Sequence, residues 1–204
     1  SAMAAYQSVI DMRRKAPRRY VIQAHAKQAQ HFDFKSGDTL AFVKKYKDLL
    51  EDRENRPYLD VVNHQMGLFY DNLEKDNIAK KYYNKSLKAN SQDNYQIASN
   101  YRNLAEIYFN DAKYSDAGQY YDSTMVRMDN RTREYKAIKK KRENLVDVIK
   151  YEAIAKTNDS ILHVVSLSDD GKKSFFEDVI ARLKKEDEEK AKKALVVNNG
   201  QPGT

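Results

Sequence analysis

Four histidines and no cysteine bound the chemistry this chain could host. A metal pair on one helix needs two ligands four residues apart, as in H-E-x-x-H. His25 and His31 stand six apart and point to different sides of a helix. His31-x-Asp33 is a close histidine–carboxylate pair, at an expected helix end. All four, His64 and His163 included, read as ordinary surface or interface histidines. Without cysteine there are no disulfides, thiolate nucleophiles or Cys-ligated metals. Gly37, Gly67, Gly118 and Gly171 are isolated, so no glycine-rich loop can cradle a phosphate, and no G-x-S-x-G turn is present. The expectation is a chain with no catalytic residue, no metal and no cofactor.

The other candidate chemistry is electrostatic. The formal net charge is +7, which admits nucleic acid, an anionic membrane face or an acidic partner. The densest run is Lys139-Lys140-Lys141-Arg142, with Lys136 before it. Consecutive residues wrap around a helix, so only Lys136, Lys139 and Lys140 share a face, with Glu143 beside them. Neutralising several phosphates needs a larger uniform patch. Elsewhere the positive charge is interleaved with Asp and Glu, as on a solvated surface.

The elements that must carry these side chains are helical. With only 6 Gly and 3 Pro but 33% charged residues and 15 Tyr, the chain suits long polar helices with aromatic seams. Two segments align without gaps: Met66-Gly67-x-x-Tyr70 with Ala79-x-x-x-Tyr83, and Leu104-Ala105-x-x-Tyr108 with Ala117-x-x-x-Tyr121. This is the tetratricopeptide pattern of small residue, aromatic, small residue, aromatic. Small residues sit where two antiparallel helices cross, and aromatics fill the space beside them. Tyr101, Leu104, Ala105 and Tyr108 fall on one helix face. The period from Gly67 to Ala105 is 38 residues rather than the usual 34, and the extra residues are expected in the polar connector Asn90-Ser91-Gln92-Asp93-Asn94. The motif's terminal Pro is missing, and Asn63 stands where the first repeat should carry a large aromatic.

The flanks extend the helical reading. Residues 18–56 form another pair, with Ile22, Ala26 and Ala29 on one stripe and Phe42-x-x-x-Tyr46 on the second helix. Lys35-Ser36-Gly37-Asp38 is their turn, and Pro57 marks a boundary. Asn130 or Thr132 caps a long helix to about Ala155, with Ile138, Leu145, Val148 and Ile149 inward. A short helix follows around Asp159–Val165. Ser168 caps a last helix whose apolar face is Phe175, Phe176, Val179, Ile180 and Leu183. Glu186, Glu188 and Glu189 each precede a lysine (Lys190, Lys192, Lys193) by four residues, which supports a solvated helix. The expected fold is all-α: a tetratricopeptide-repeat-like right-handed solenoid with C-terminal capping helices. Its parts are an N-terminal helical segment (1–17), repeats at about 18–57, 58–93 and 94–131, a capping region (132–167), an amphipathic then charged helix (168–197) and a fraying tail (198–204).

No apolar run approaches the roughly 20 residues that span a bilayer, so the chain is expected to be soluble. Ser1-Ala2-Met3 reads as an expression scar, and a native targeting segment is expected to be missing. A solenoid of this kind binds partners on the concave face lined by the first helix of each repeat. With core positions subtracted, His64, Leu68 and Asn72 are expected there from one repeat, and Arg102, Asn103, Glu106 and Asn110 from the next. Repeats that clamp a C-terminal carboxylate carry Lys and Asn on the first repeat's inner face. Here His64 and Leu68 take those places, so that function is not expected.

Several segments outside the repeat pattern are more specific. They are Arg14-Lys15-Ala16-Pro17-Arg18-Arg19-Tyr20, Asp52-Arg53-Glu54-Asn55-Arg56-Pro57, Ala117-Gly118-Gln119-Tyr120-Tyr121-Asp122-Ser123-Thr124, Ile138-Lys139-Lys140-Lys141-Arg142, Asp147-Val148-Ile149-Lys150-Tyr151 and Asn158-Asp159-Ser160-Ile161. Together they resemble the SprE/PorW family of Bacteroidota, tetratricopeptide lipoproteins of the type IX secretion and gliding-motility apparatus. The resemblance covers roughly residues 14–183. It implies a non-catalytic scaffold that docks secretion-machinery proteins at the periplasmic face of the outer membrane, tethered by an N-terminal lipid. No lipobox cysteine is present here. The alternative is a basic helical adaptor for nucleic acid or another acidic partner.

Overall fold

The structure, a computed structural model, describes residues 2–89 and 91–198, with the backbone alone from residue 192 on. The fold is all-α: among the described residues every regular element is helical and none is a strand. The chain divides into two units, Ser1–Ile149 and Lys150–Thr204.

The first unit holds α1 (Ala2–Asp11), α2 (Arg18–Gln30), α3 (Thr39–Glu51), α4 (Leu59–Asn72), α5 (Asp76–Lys88), α6 (Asn94–Asn110) and α7 (Tyr114–Val126). It ends within α8 (Arg133–Ser166). Short 3₁₀ turns at Arg13–Lys15 and Arg53–Tyr58 precede α2 and α4, and Pro57 lies in the second. The starts of α3, α6 and α8 are set by side chains that accept orphan N–H groups. Asp38 accepts from Leu40 and Ala41, Asp93 from Tyr95 and Gln96, and Thr132, rather than Asn130, from Tyr135.

The hairpins α4/α5 and α6/α7 are built on one turn. Glu74 and Ala112, 38 residues apart, both take left-handed backbone at φ 56°. Lys75 N–H donates to Tyr70 O and Lys113 N–H to Tyr108 O, each at 2.9 Å. Glu74 N–H donates to Asp71 O and Ala112 N–H to Phe109 O. These paired bonds satisfy the last carbonyls of α4 and α6 and reverse the chain at the same point of each hairpin. Inside the hairpins Gly67, Ala79, Ala105 and Ala117 let the helices meet, and the rings of Tyr83 and Tyr121 are fully buried.

Three apolar clusters follow along the chain. Phe42, Tyr46 and Phe69 stack between α3 and α4, with the Phe42 and Phe69 centroids 4.0 Å apart. Tyr83 and Ala79 meet Leu104 and Ile107. Ala105, Ala117 and Tyr121 meet Ile138 and Leu145 of α8. Each hairpin thus closes its neighbour's core, as stacked helix pairs must.

Four expectations need correction. The added residues of the longer period are not confined to the connector: Ala105 stands eleven residues after the start of α6, whereas Gly67 stands eight after the start of α4. Asp93 captures the N–H groups that follow it, so Asn94 joins the helix; Asn90 lies outside the described residues. The expected break after Ala155 is absent, because α8 is continuous to Ser166. Thr157 returns its hydroxyl to Ala153 O at 2.9 Å, so its polar group is satisfied within the helix. Val148 is 40% exposed, at the edge of the stripe that Ile138, Leu145 and Ile149 bury. His25 and His64 are buried rather than superficial.

The second unit comprises the rest of α8 and α9 (Asp169–Asn198). Ser168 Oγ accepts from Gly171 N–H at 3.2 Å and starts α9. His163 and Phe175 meet edge-to-face at 6.3 Å. Phe175 and Val179 are half-buried, but Phe176, Ile180 and Leu183 stand 52%, 51% and 51% exposed. In the charged stretch the ion pair is Lys190–Asp187 at 3.9 Å, and the Lys192 and Lys193 side chains lie outside the described residues, as does the expected tail from residue 199.

Candidate protein-binding surface

The first helices of successive hairpins, α4, α6 and the start of α8, are joined by polar side chains. Gln96 Nε2 donates to Asp60 Oδ2 at 3.1 Å. Asn100 donates through its amide nitrogen to Ser86 Oγ at 2.8 Å, and its carbonyl oxygen accepts from His64 Nδ1–H at 2.7 Å. Ser86 Oγ donates to the Asp60 carbonyl at 2.7 Å. Lower on the same helices, Asn103 Nδ2 donates to the Tyr83 hydroxyl at 3.1 Å, which donates to Asp71 Oδ2 at 2.7 Å. Between α6 and α8, Arg102 pairs with Glu134, and Lys141 holds both Glu106 oxygens at 2.6 and 2.8 Å.

Burial sets the titration of this network. It lowers the His64 pKa, which the Asn100 bond opposes in part and Arg102 lowers further. It raises Asp71, with the Tyr83 hydrogen bond acting against it. It pushes the Tyr83 phenol well above its ordinary range, helped by the Asp71 charge. His64 is therefore neutral and Tyr83 a fixed donor, so these groups specify how the hairpins fit rather than exchange protons.

Most of the seven expected contact residues are consumed by this packing. His64 is 8% exposed and bound to Asn100, and Asn103 is buried on Tyr83. Arg102 and Glu106 face α8 rather than open water. Leu68 is half-buried against the Tyr83 cluster. Only Asn72 and Asn110, at equivalent ends of α4 and α6, are exposed, and Asn72 donates to Leu68 O. The physical reason is that the helix face left after subtracting a hairpin's own core meets the first helix of the next hairpin.

Three of the four residues of the run Lys139–Arg142 are likewise paired, and Lys140 stands exposed. Arg142 Nε reaches Asp122 at 2.9 Å, Lys141 reaches Glu106, and Lys139 lies 3.8 Å from Glu143. A different basic strip is free. Lys81, Lys85 and Lys88 stand exposed on α5 and form no ion pair among the described residues. With Asn77, Asn84, Lys80 and Tyr108 they line an open groove of about 600 Å³. Lys80 is paired with Asp111 at 3.1 Å, and Lys85 Nζ lies 5.3 Å from the Tyr82 ring. The signal was present in the sequence as lysines at i, i+4 and i+7.

Among the described residues no group of three or more His, Asp or Glu could hold a metal ion, and no helix is long and apolar enough to cross a membrane. Compared with protein-family models and with curated proteins, the chain matches none.

Proposed function

We propose that this chain is a segment of a tetratricopeptide-repeat-like right-handed solenoid that acts as a non-catalytic protein-binding scaffold. The observation that carries this reading is the repetition of one hairpin: the same left-handed turn and the same small-residue crossing recur 38 residues apart. Repetition of a packing unit without a convergent titratable cluster suits a docking surface. The likeness of residues 14–183 to the SprE/PorW family supports a place in the type IX secretion and gliding machinery, with secretion-machinery proteins as partners at the periplasmic face of the outer membrane. The α5 strip indicates an acidic segment on such a partner, because three lysines at helical spacing lack counter-charges.

The strip fits a protein better than a nucleic acid. From Lys81 to Lys88 it spans about 10 Å along the axis, too short to follow a run of phosphates. In the denser run on α8, Lys139, Lys141 and Arg142 are paired from within the fold, which leaves Lys136 and Lys140 open, fewer lysines than on α5.

The test is capture of outer-membrane and periplasmic secretion proteins from a Bacteroidota envelope extract on the immobilised chain, with Lys81→Glu/Lys85→Glu/Lys88→Glu beside it. Recovery that the triple change abolishes supports the reading. Recovery of nucleic-acid-associated proteins alone, lost as salt rises, would replace it with the basic-adaptor reading.

A further inference from the structure

None of the described side chains from 150 to 191 is buried, so this stretch has no apolar core of its own. Yet α9 carries an ordered stripe. Asp169, Lys172/Lys173, Phe176, Val179/Ile180, Leu183, Glu186/Asp187 and Lys190 recur at three- and four-residue steps and share one face. Half-exposed Phe176, Ile180 and Leu183 form its centre, and charges form both ends.

We propose that α9 is a self-association surface on which a second copy of this chain docks antiparallel, about a two-fold axis between Val179 and Ile180. The stripe is self-complementary in that register alone. Phe176 of one copy faces Leu183 of the other, and Val179 faces Ile180. Lys172 faces Asp187, Lys173 faces Glu186 and Asp169 faces Lys190, each pair occurring twice by symmetry. A parallel pairing would set Lys172, Lys173 and Asp187 each against its own copy, which like charges oppose.

Two exposed pairs within the helix prepare the ends. Lys172 lies 3.6 Å from Asp169 and Lys190 3.9 Å from Asp187. In the antiparallel dimer each couple meets the other as a square of alternating charge. Within one copy such solvated pairs contribute little; bordering a dry apolar seam they define register and partner.

Sedimentation equilibrium of the full 204-residue chain, from about 1 to 200 µM at low salt, tests this, since a self-association equilibrium depends on protein concentration. A monomer–dimer equilibrium is expected. Ile180→Glu should abolish it with unchanged helix content by circular dichroism, since Ile180 packs in no core. Lys172→Glu/Lys173→Glu should raise the dissociation constant about tenfold or more through like-charge contacts. Adding Glu186→Lys/Asp187→Lys to that chain should restore the wild-type value, which a parallel dimer would not do. A chain that stays monomeric throughout, a dimer indifferent to the double change, or one the fourfold exchange does not rescue would overturn the proposal.

Discussion

A Cβ placed on Gly67 would lie 2.5 Å from two ring atoms of Tyr83, and that ring is fully buried and held through its hydroxyl by Asp71 and Asn103. The ring has nowhere to go, so Gly67→Ala should destabilise the fold by about 1–3 kcal/mol. A urea midpoint equal to wild type would contradict this. His25 offers a pH test. Burial, aided by Lys45 and Arg18, lowers its pKa from 6.5 to about 4. The unfolded chain therefore binds the proton more readily. The neutral folded form contributes stability that is complete above pH 6.5 and lost as pH falls toward 4. Unfolding free energy should drop by roughly 2–3 kcal/mol across that window, and His25→Gln should flatten the slope. Asp71, whose pKa burial raises, acts in the opposite sense. The burial of His25 and His64 was not legible in the sequence, since it depends on which hairpin covers them.

At the scale of elements, the turns after α4 and α6 place Glu74 and Ala112 in a conformation that a Cβ disfavours. Ala112→Gly should stabilise the chain by about 0.5–1 kcal/mol, and Glu74→Gly by a similar amount. A lower thermal midpoint for Ala112→Gly would mean the turn is not built as described. Asp93 is the opposite case: Asp93→Ala removes the acceptor for Tyr95 and Gln96 N–H and should cost about 1 kcal/mol. Helix existence was readable from small-residue and aromatic spacing. Helix ends were not, because they rest on which side chain reaches an orphan N–H first. Asp93 lengthens α6, and α8 runs on through Thr157, whose hydroxyl is satisfied on Ala153 O, where a polar run suggested a break.

At the scale of the molecule, the two units differ in kind. Residues 18–126 contain the stacked aromatics and the interlocked polar ladder, whereas none of the described side chains from 150 to 191 is buried. Local stability follows buried contact, so amides of α4 and α6 should exchange with solvent slowest and those of α9 at least about tenfold faster in dilute solution. Hydrogen exchange read by mass spectrometry checks this; equal protection in α6 and α9 at low concentration would count against it. Protection of α9 should rise with protein concentration if two copies pair there.

Periodicity, small residues at helix crossings and the scarcity of Gly and Pro determined by themselves that the chain is all-α and which rings fill its hairpins. These signals are local: Gly67 and Tyr83, or Ala105 and Tyr121, meet across one turn. Tertiary structure alone decided the fate of the expected binding face. His64, Arg102, Asn103 and Glu106 look free on a helical wheel, yet each is claimed by a partner 20 to 36 residues distant: Asn100, Glu134, Tyr83 and Lys141. Which polar side chain stays open to a partner is set by how the next hairpin packs, and that packing has no short-range imprint in the sequence. Lys81, Lys85 and Lys88 on α5 remain open because no acid from a neighbouring helix reaches them, as Asp111 reaches Lys80.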